Sequence, residues 1–238
     1  MVKVCDSVMG SFKTTAAINY INEHPDTSFI YITPFLEEAE RISEGCPDAG
    51  FIEPSNKLSE YHYRKSEHTA ALIKQGCNIA TTHQAFKMYT EEMLCDIHSH
   101  GYTLFIDENV EMLESMDYCA EDLHMLEAAG YLQNINGVYS MTGKEYGGNV
   151  CRDFFSKIGC RNTIEITAAG TDRVYYWKLQ PELIMSFRNV FILTYLFDCQ
   201  SIHHMLQMND IEYTYIGVKN DSGTHHFCEG NGDIPELI

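Results

Sequence analysis

Mostly apolar strand-like segments alternate with helix-like segments along this chain, and this alternation restricts its fold more than any other feature. The strand candidates are residues 28–33 (SFIYIT), 78–83 (NIATTH), 102–107 (YTLFID) and 190–197 (VFILTYLF). Nearly continuous apolar strands are typical of a parallel sheet that is covered by helices on both faces. The sequence therefore predicts an α/β fold, with a mainly parallel sheet sandwiched between helices.

The helix-like segments and the glycine-rich regions suggest how the domain is organised. Apolar residues at helical spacing predict helices at residues 14–23, 36–42, 66–75, 84–95 and 201–208. After residue 108 the pattern loosens into an acidic, helix-like segment at 113–129, a glycine-rich segment at 134–149, a helix at 150–158 and strands at 163–167 and 174–179. We expect one domain over residues 1–218, with a helical and hairpin insertion around 113–180, and a polar tail or the truncated start of a second lobe at 219–238.

The charge balance limits the kinds of partner that the chain can attract. The 238 residues include 16 basic and 34 acidic side chains, for a formal net charge of −18. At physiological salt such a chain repels nucleic-acid phosphates over about 8 Å, so any nucleic-acid contact has to be local.

Nine cysteines without a C-x-x-C pair predict reduced thiols and a cytoplasmic protein. The most apolar run is too short to span a bilayer, so no membrane partner is expected.

A phosphate-binding loop is predicted between the first strand and the first helix. The frame SVMGSFKT at residues 7–14 aligns with G-x-x-x-x-G-K-[ST], with Ser7 and Phe12 at the two outer glycine positions. Such a loop needs backbone N–H groups around phosphates, an ammonium group and a hydroxyl for Mg²⁺. The residues that would bind the nucleotide are Gly10, Ser11, Lys13 and Thr14.

A pair of acids at the end of a later strand completes the predicted nucleotide site. Asp107 and Glu108 follow the apolar segment TLFI, and the carboxyl ends of parallel strands meet at one edge of a sheet. Asp107 would hold Mg²⁺ together with Thr14, and Glu108 would orient or deprotonate the attacking water with Lys13 on the outer phosphates. The predicted cofactors are ATP and Mg²⁺.

In four segments the chain resembles the first RecA-like lobe of DEAD-like superfamily 2 helicases, especially those of phages and prophages. These segments are DSVMGSFKTT, YITPFLEEAERI, IATTHQAF and FIDENVEML, in the order of that family. VFILTYLF would be the later strand that links the nucleotide and nucleic-acid sites. The resemblance implies a P-loop ATPase of the helicase type, a hydrolase, in the host cytoplasm if phage-encoded.

The same resemblance implies where nucleic acid would bind. In that family the loops after the second and third strands hold the nucleic-acid backbone. By position, the residues that would make these contacts are Thr33, Pro34, Thr81, Thr82 and His83. Hydroxyl and main-chain amide groups can bind phosphate without positive charge, which suits an acidic chain. Residues such as Thr82 are also ordinary helix caps, and the sequence leaves both interpretations open.

Two departures from the family pattern lead to a second interpretation. Phe12 replaces the glycine at which the loop approaches phosphate, so we expect weakened nucleotide binding. Too few residues follow position 218 for the second lobe that supplies arginines in this family. The alternative function is therefore a non-catalytic relative of the helicases that binds another protein or acts as a decoy.

Histidine pairs such as HHFC at 225–228 indicate a metal site only weakly, because no second ligand pair lies nearby in the sequence.

Overall fold

The structure, a computed structural model, describes residues 1–115, 118–151, 154–155, 161–167 and 173–230. The chain divides into two compact units. The first contains Met1–Val110 and Ile184–Ile238, and the second contains Glu111–Leu183. All the predicted nucleotide-site and nucleic-acid residues lie in the first unit.

A seven-stranded sheet forms the centre of the first unit. Its strands are β1 (Val2–Asp6), β2 (Phe29–Thr33), β3 (Ile79–Thr82), β4 (Thr103–Asp107), β10 (Asn189–Thr194), β11 (Tyr213–Asp221) and β12 (Thr224–Glu229). They lie in the order β12-β11-β1-β10-β4-β2-β3. Every neighbouring pair is parallel except the hairpin of β11 and β12. The α/β class with a mainly parallel sheet is therefore confirmed, and it is consistent with a RecA-like arrangement.

The helices of the first unit follow the strands in alternation. They are α1 (Lys13–Glu23), α2 (Leu36–Gly45), α3 (Lys65–Lys74), α4 (His83–Phe86), α5 (Glu91–His100) and α8 (Ser201–Met208). The short helix α7 (Glu182–Met185) contains the point in the sequence at which the second unit ends and the first unit resumes. Strands β2 and β4 are buried along their whole length, as their apolar sequences predict. This burial fixes both carboxyl ends, and with them the side chains of the candidate site.

The second unit is built around a different kind of sheet. Strands β5 (Leu113–Ser115), β6 (Leu132–Ile135), β7 (Val138–Met141), β8 (Arg161–Thr167) and β9 (Arg173–Leu179) pair antiparallel in the order β5-β9-β8-β7-β6. Helix α6 (Ala120–Ala128) packs Leu123 and Leu126 into a core with Trp177. The glycine-rich segment at 134–149 takes part in the hairpin of β6 and β7.

Three local predictions differ from the structure. The helix predicted at 84–95 is divided into α4 and α5, because the Thr90 hydroxyl accepts a hydrogen bond from the Met93 N–H (3.4 Å) and begins a new helix. The helix predicted from residue 113 begins only at Ala120, after strand β5. The segment predicted as a tail from residue 219 contributes β12 to the main sheet. Most of the helix predicted at 150–158 lies outside the described residues.

Candidate functional site

The phosphate-loop segment joins β1 to the N-terminus of α1 and leaves that end of the helix without a cap. Helix α1 begins at Lys13, its first turn contains no acid, and the side chain of its N-cap residue, Phe12, makes no capping hydrogen bond. The first N–H groups of a helix have no partner within the helix, and the helix dipole favours an anion near them. Gly10 lies at φ 80° with open space around it, so a side chain there would be strained. The loop therefore has the geometry of an anion-binding turn.

The Lys13 ammonium group lies inside this loop. It donates hydrogen bonds to the carbonyl oxygens of Ser7 (2.5 Å) and Val8 (3.1 Å), and the residue is only 7% exposed. The Ser11 hydroxyl donates to the Ser7 hydroxyl (3.0 Å), which closes the loop further. The ammonium group thus holds the curve of the loop while its charge acts on the neighbouring cavity.

Asp107, at the end of β4, accepts hydrogen bonds from two other elements. Its Oδ2 accepts from the Thr14 hydroxyl (3.2 Å) at the start of α1 and from the Tyr31 hydroxyl (2.8 Å) in β2. Tyr31 is fully buried, and its ring stacks on Phe105, with 5.5 Å between the ring centroids. The structure therefore brings the hydroxyl and the carboxylate that were predicted to bind Mg²⁺ into direct contact.

Burial determines the protonation behaviour of this carboxyl group. Asp107 is 8% exposed, and burial raises its pKa above the ordinary value of an aspartate. Hydrogen bonds from Tyr31 and Thr14, and the charges of Lys13 and Arg41, act in the opposite direction. The ionised form of a buried carboxylate is therefore stabilised more by a nearby divalent cation than that of an exposed one.

His83 supports the main chain of Asp107. Its Nε2 lies 2.8 Å from the Asp107 carbonyl oxygen, so this nitrogen carries the proton and donates. Burial lowers the pKa of His83 to about 4, which keeps the imidazole neutral at pH 7. His83 was predicted as a nucleic-acid contact, and this stays a prediction; in the structure its side chain connects the start of α4 to the end of β4.

A cavity of about 370 Å³ opens beside the loop and Asp107. Its lining residues are Met9, Gly10, Ser11, Phe12, Lys13, Thr14, Thr15, Arg41, Asp107 and Glu108. Arg41 comes from α2 and supplies a second positive charge. Burial and the carboxylates of Asp107 and Glu108 raise the pKa of Glu38, and Arg41 opposes this effect. The cavity therefore combines two cationic side chains with a group of mutually repelling carboxylates.

Strand β10 holds the two halves of the site together. It lies between β1 and β4. Near its end, the Thr194 carbonyl accepts from the Ser7 N–H (3.0 Å), and the Leu193 carbonyl accepts from the Glu108 N–H (2.9 Å). Glu108 itself adopts φ 63°, and its side chain is exposed at the cavity. The start of the loop and the turn after Asp107 are thus both fixed to one strand.

Phe12 adopts the conformation that explains why related loops have glycine at this position. Its φ and ψ are 62° and 22°, in the left-handed region, where a residue with a Cβ costs about 1–2 kcal/mol. Its ring stacks on the imidazole of His225 in β12, with the centroids 4.1 Å apart and the planes at 16°. The residue is 52% exposed. The ring is thus directed towards β12.

The predicted nucleic-acid residues lie at the same edge of the sheet as Asp107, with different accessibility. Thr33 and Thr81 are fully buried, and the Thr33 hydroxyl donates to the Phe35 carbonyl oxygen (2.6 Å). Pro34 and Thr82 are partly exposed. The Thr82 hydroxyl caps α4 by accepting from the Ala85 N–H (3.4 Å), as a helix cap would.

Three residues of the site were missed by the sequence analysis. Tyr31 and Arg41 were predicted only as parts of a strand and a helix within the segment YITPFLEEAERI, and His225 only as part of a histidine pair. Strand alternation could have indicated Tyr31, because it shares the face of Phe29 beside the strand that ends in Asp107. No sequence signal connects His225 with Phe12, because β12 is brought to α1 by the hairpin alone.

Comparison with known proteins gives one relative. The chain is similar to the SPbeta prophage-derived uncharacterized protein YonV of Bacillus subtilis (strain 168), with 32% identity over 237 residues. The alignment covers 96% of this chain and 57% of that protein, so the chain spans little more than half the length of this relative. This similarity agrees with the phage-type origin that the sequence predicts. No family model and no solved structure matches the chain.

Two kinds of feature are absent from the described residues. There, no helix is long and apolar enough to cross a membrane. Among the same residues, no group of three or more histidine, cysteine or acidic side chains is arranged to hold a metal ion. A site that shares Mg²⁺ with phosphates needs only one or two carboxylates from the protein.

Proposed function

We propose that the first unit is a helicase-type ATP-binding lobe that takes Mg²⁺-ATP at the N-terminus of α1. The observation that carries this proposal is the contact of Thr14 with Asp107, two residues 93 positions apart in the sequence. The uncapped helix end and Lys13 would hold the phosphates, and Thr14 and Asp107 would hold Mg²⁺. The fully buried Tyr31 donor, fixed on Asp107, supports this assignment because it orients the carboxylate before any ligand binds.

Each side chain then has a defined role in phosphoryl transfer to water. Bound Mg²⁺ supplies charge neutralisation at the outer phosphates. Lys13 and Arg41 would stabilise the negative charge that develops on the transferred group. Glu108, with its exposed carboxylate at the cavity, would orient the attacking water and accept its proton. In the helicase family the second lobe supplies arginines to the nucleotide. Arg41 is an arginine of the first unit itself that lines the cavity.

The same lobe is proposed to contact nucleic acid through the segments that follow β2, β3 and β10. Pro34 and Thr82 lie partly exposed after β2 and β3. Phe35 and Tyr195 are 68% and 47% exposed, in the segments after β2 and β10. Exposed aromatic rings can stack on bases without depending on positive charge. The net charge of −18 restricts this contact to a local track.

Thermal unfolding with and without Mg²⁺-ATP tests the nucleotide site. A ligand at about 100 times its Kd stabilises the native state by about 2.7 kcal/mol, which raises the Tm of a domain of this size by several degrees. The wild type should show this shift with Mg²⁺-ATP, and Lys13→Ala should not. Lys3→Ala is the matched control, because Lys3 lies outside the loop with its ammonium group over the Phe191 ring.

A non-catalytic binding or decoy module is the alternative. It is favoured by the net charge of −18 and by Phe12 at the glycine position. This function predicts no Tm shift with Mg²⁺-ATP at millimolar concentration, in the wild type as in Lys13→Ala. Such a result would reject the ATP-binding proposal.

A further inference from the structure

We propose that Phe12 and His225 form a stacking platform for the base of the bound nucleotide. This inference rests on the proposed function and names a second part of the same site. It assigns a role to the residue that departs most clearly from the phosphate-loop pattern. The ligand class is a nucleoside triphosphate, held by its base as well as by its phosphates.

The platform is already assembled in the structure. The two rings are nearly parallel, 4.1 Å apart, and the His225 carbonyl oxygen accepts a hydrogen bond from the Asn19 Nδ2 of α1 (2.9 Å). His225 therefore covers one face of the phenyl ring, yet Phe12 remains 52% exposed. We place a flat aromatic ligand against this open part of the residue, as a third ring beside Phe12 and His225.

The platform lies on the side of the site towards which the base of a nucleoside triphosphate would extend. Asp107 and Glu108 lie on the β10 and β4 side of β1, and they mark the end of the cavity for Mg²⁺ and the outer phosphates. The base and the γ-phosphate are opposite ends of the ligand, so the base leaves the cavity away from these acids. On the other side of β1 lie β11 and β12, and β12 carries His225. Phe12 is part of the cavity wall itself.

The backbone of Phe12 agrees with a role for its ring. A phenylalanine in the left-handed region is strained, and residues held in such conformations cluster at active sites and ligand-binding sites. Glycine would adopt this conformation freely. Phe12 therefore supplies an aromatic ring at this position together with a strained backbone, whereas glycine would have neither.

Stacking also predicts which ligands the platform distinguishes. Every base has an aromatic face, so the platform separates nucleoside triphosphates from inorganic tripolyphosphate much more than it separates one base from another. Loss of a stacked aromatic residue corresponds to about a 5- to 150-fold loss of affinity for the nucleotide. The affinity for tripolyphosphate should not change.

Calorimetric titration of four proteins with Mg²⁺-ATP and Mg²⁺-tripolyphosphate tests the platform. The proteins are the wild type, Phe12→Gly, Phe12→Tyr and His225→Ala. Phe12→Gly should lose ATP affinity but keep tripolyphosphate affinity, and Phe12→Tyr should behave as the wild type. His225→Ala should show a smaller loss for ATP alone, and it serves as the main variant if Phe12→Gly does not fold.

The other possible outcomes contradict either the platform or the proposed nucleotide site. Equal ATP binding by Phe12→Gly would show that the ring contributes nothing to affinity, and tighter binding would show that it obstructs the site. Either result would overturn the platform. An equal loss for both ligands would also overturn it, because the ring would then act only on the shape of the loop. If the wild type binds neither ligand, the proposed nucleotide site fails, and the platform fails with it.

Discussion

The hydroxyl of Thr14 lies 3.2 Å from Oδ2 of Asp107, which joins the first turn of α1 to the carboxyl end of β4. Helix α1 follows β1, and β10 lies between β1 and β4 in the sheet. Their contact defines where a metal ion and a phosphate chain would meet.

Asp107→Asn should separate folding from metal binding. Burial raises the pKa of Asp107, so its ionised form is unfavourable in the folded apoprotein, and a neutral side chain avoids this cost. Both hydrogen bonds reach one oxygen, which asparagine can supply. We expect a Tm without ligand that equals or exceeds that of the wild type at pH 7.5, and no shift with Mg²⁺-ATP. A clear loss of Tm in the apoprotein would contradict this explanation.

Tyr31→Phe should weaken both the fold and the metal site. The change removes a donor 2.8 Å from the carboxylate and leaves the ring stacked on Phe105. Hydrogen bonds to charged groups typically contribute about 1.5–3 kcal/mol, so urea unfolding should show a loss of this order. The pKa of Asp107 should rise further, and more Mg²⁺ should be needed for the same ATP-dependent Tm shift.

A double-mutant cycle checks that this effect passes through the carboxylate. In the Asp107→Asn background, Tyr31→Phe should cost clearly less than in the wild type, because the acceptor is no longer charged. An identical cost in both backgrounds would mean that Tyr31 acts through packing alone.

Arg41→Ala should discriminate between ATP and ADP. Arg41 lines the cavity with Asp107 and Glu108, at the end assigned to the outer phosphates. Loss of a charge-assisted contact to the γ-phosphate should weaken ATP binding about tenfold more than ADP binding, or by about 1.4 kcal/mol. Arg64→Ala is a suitable control, because Arg64 pairs with Glu67 (3.1 Å) and is absent from the cavity wall. An equal effect on ATP and ADP would place Arg41 elsewhere.

His83 should make the fold sensitive to acid. Its pKa is about 4 in the folded state and ordinarily 6.5, so the unfolded state binds the extra proton first as the pH falls. The stability should therefore decrease between about pH 6.5 and pH 4, by up to roughly 3 kcal/mol. His83→Gln keeps an N–H donor for the Asp107 carbonyl and removes the titration. Urea unfolding against pH should be flatter in this variant, and parallel curves would contradict the assignment.

The parts of the site that the sequence predicts are those that belong to local motifs. Lys13, Thr14, Asp107 and Glu108 each follow or begin an element with a clear apolar pattern, so their place at the sheet edge follows from strand order. Arg41 and His225 could not be predicted in this way. Their positions depend on how α2 and the β11–β12 hairpin pack, and residue spacing carries no information about that packing.

The same limit explains the errors in the fold. The split between α4 and α5 results from a capping threonine within a segment that is otherwise helical in pattern. Strand β12 has a polar, histidine-containing sequence, because it lies at the edge of the sheet and its residues are at most partly buried. Edge strands lack the apolar signal by which the central strands were found.

Strand β10 has a mechanical consequence for the whole site. Its last residues accept hydrogen bonds from Ser7 at the start of the loop and from Glu108 after the acid. The turn at Tyr195 and Leu196, which follows immediately, is exposed and has Leu196 at φ 57°. A displacement of this turn would therefore act on both hydrogen bonds at once. The loop at Ser7 and the turn at Glu108 would then move together.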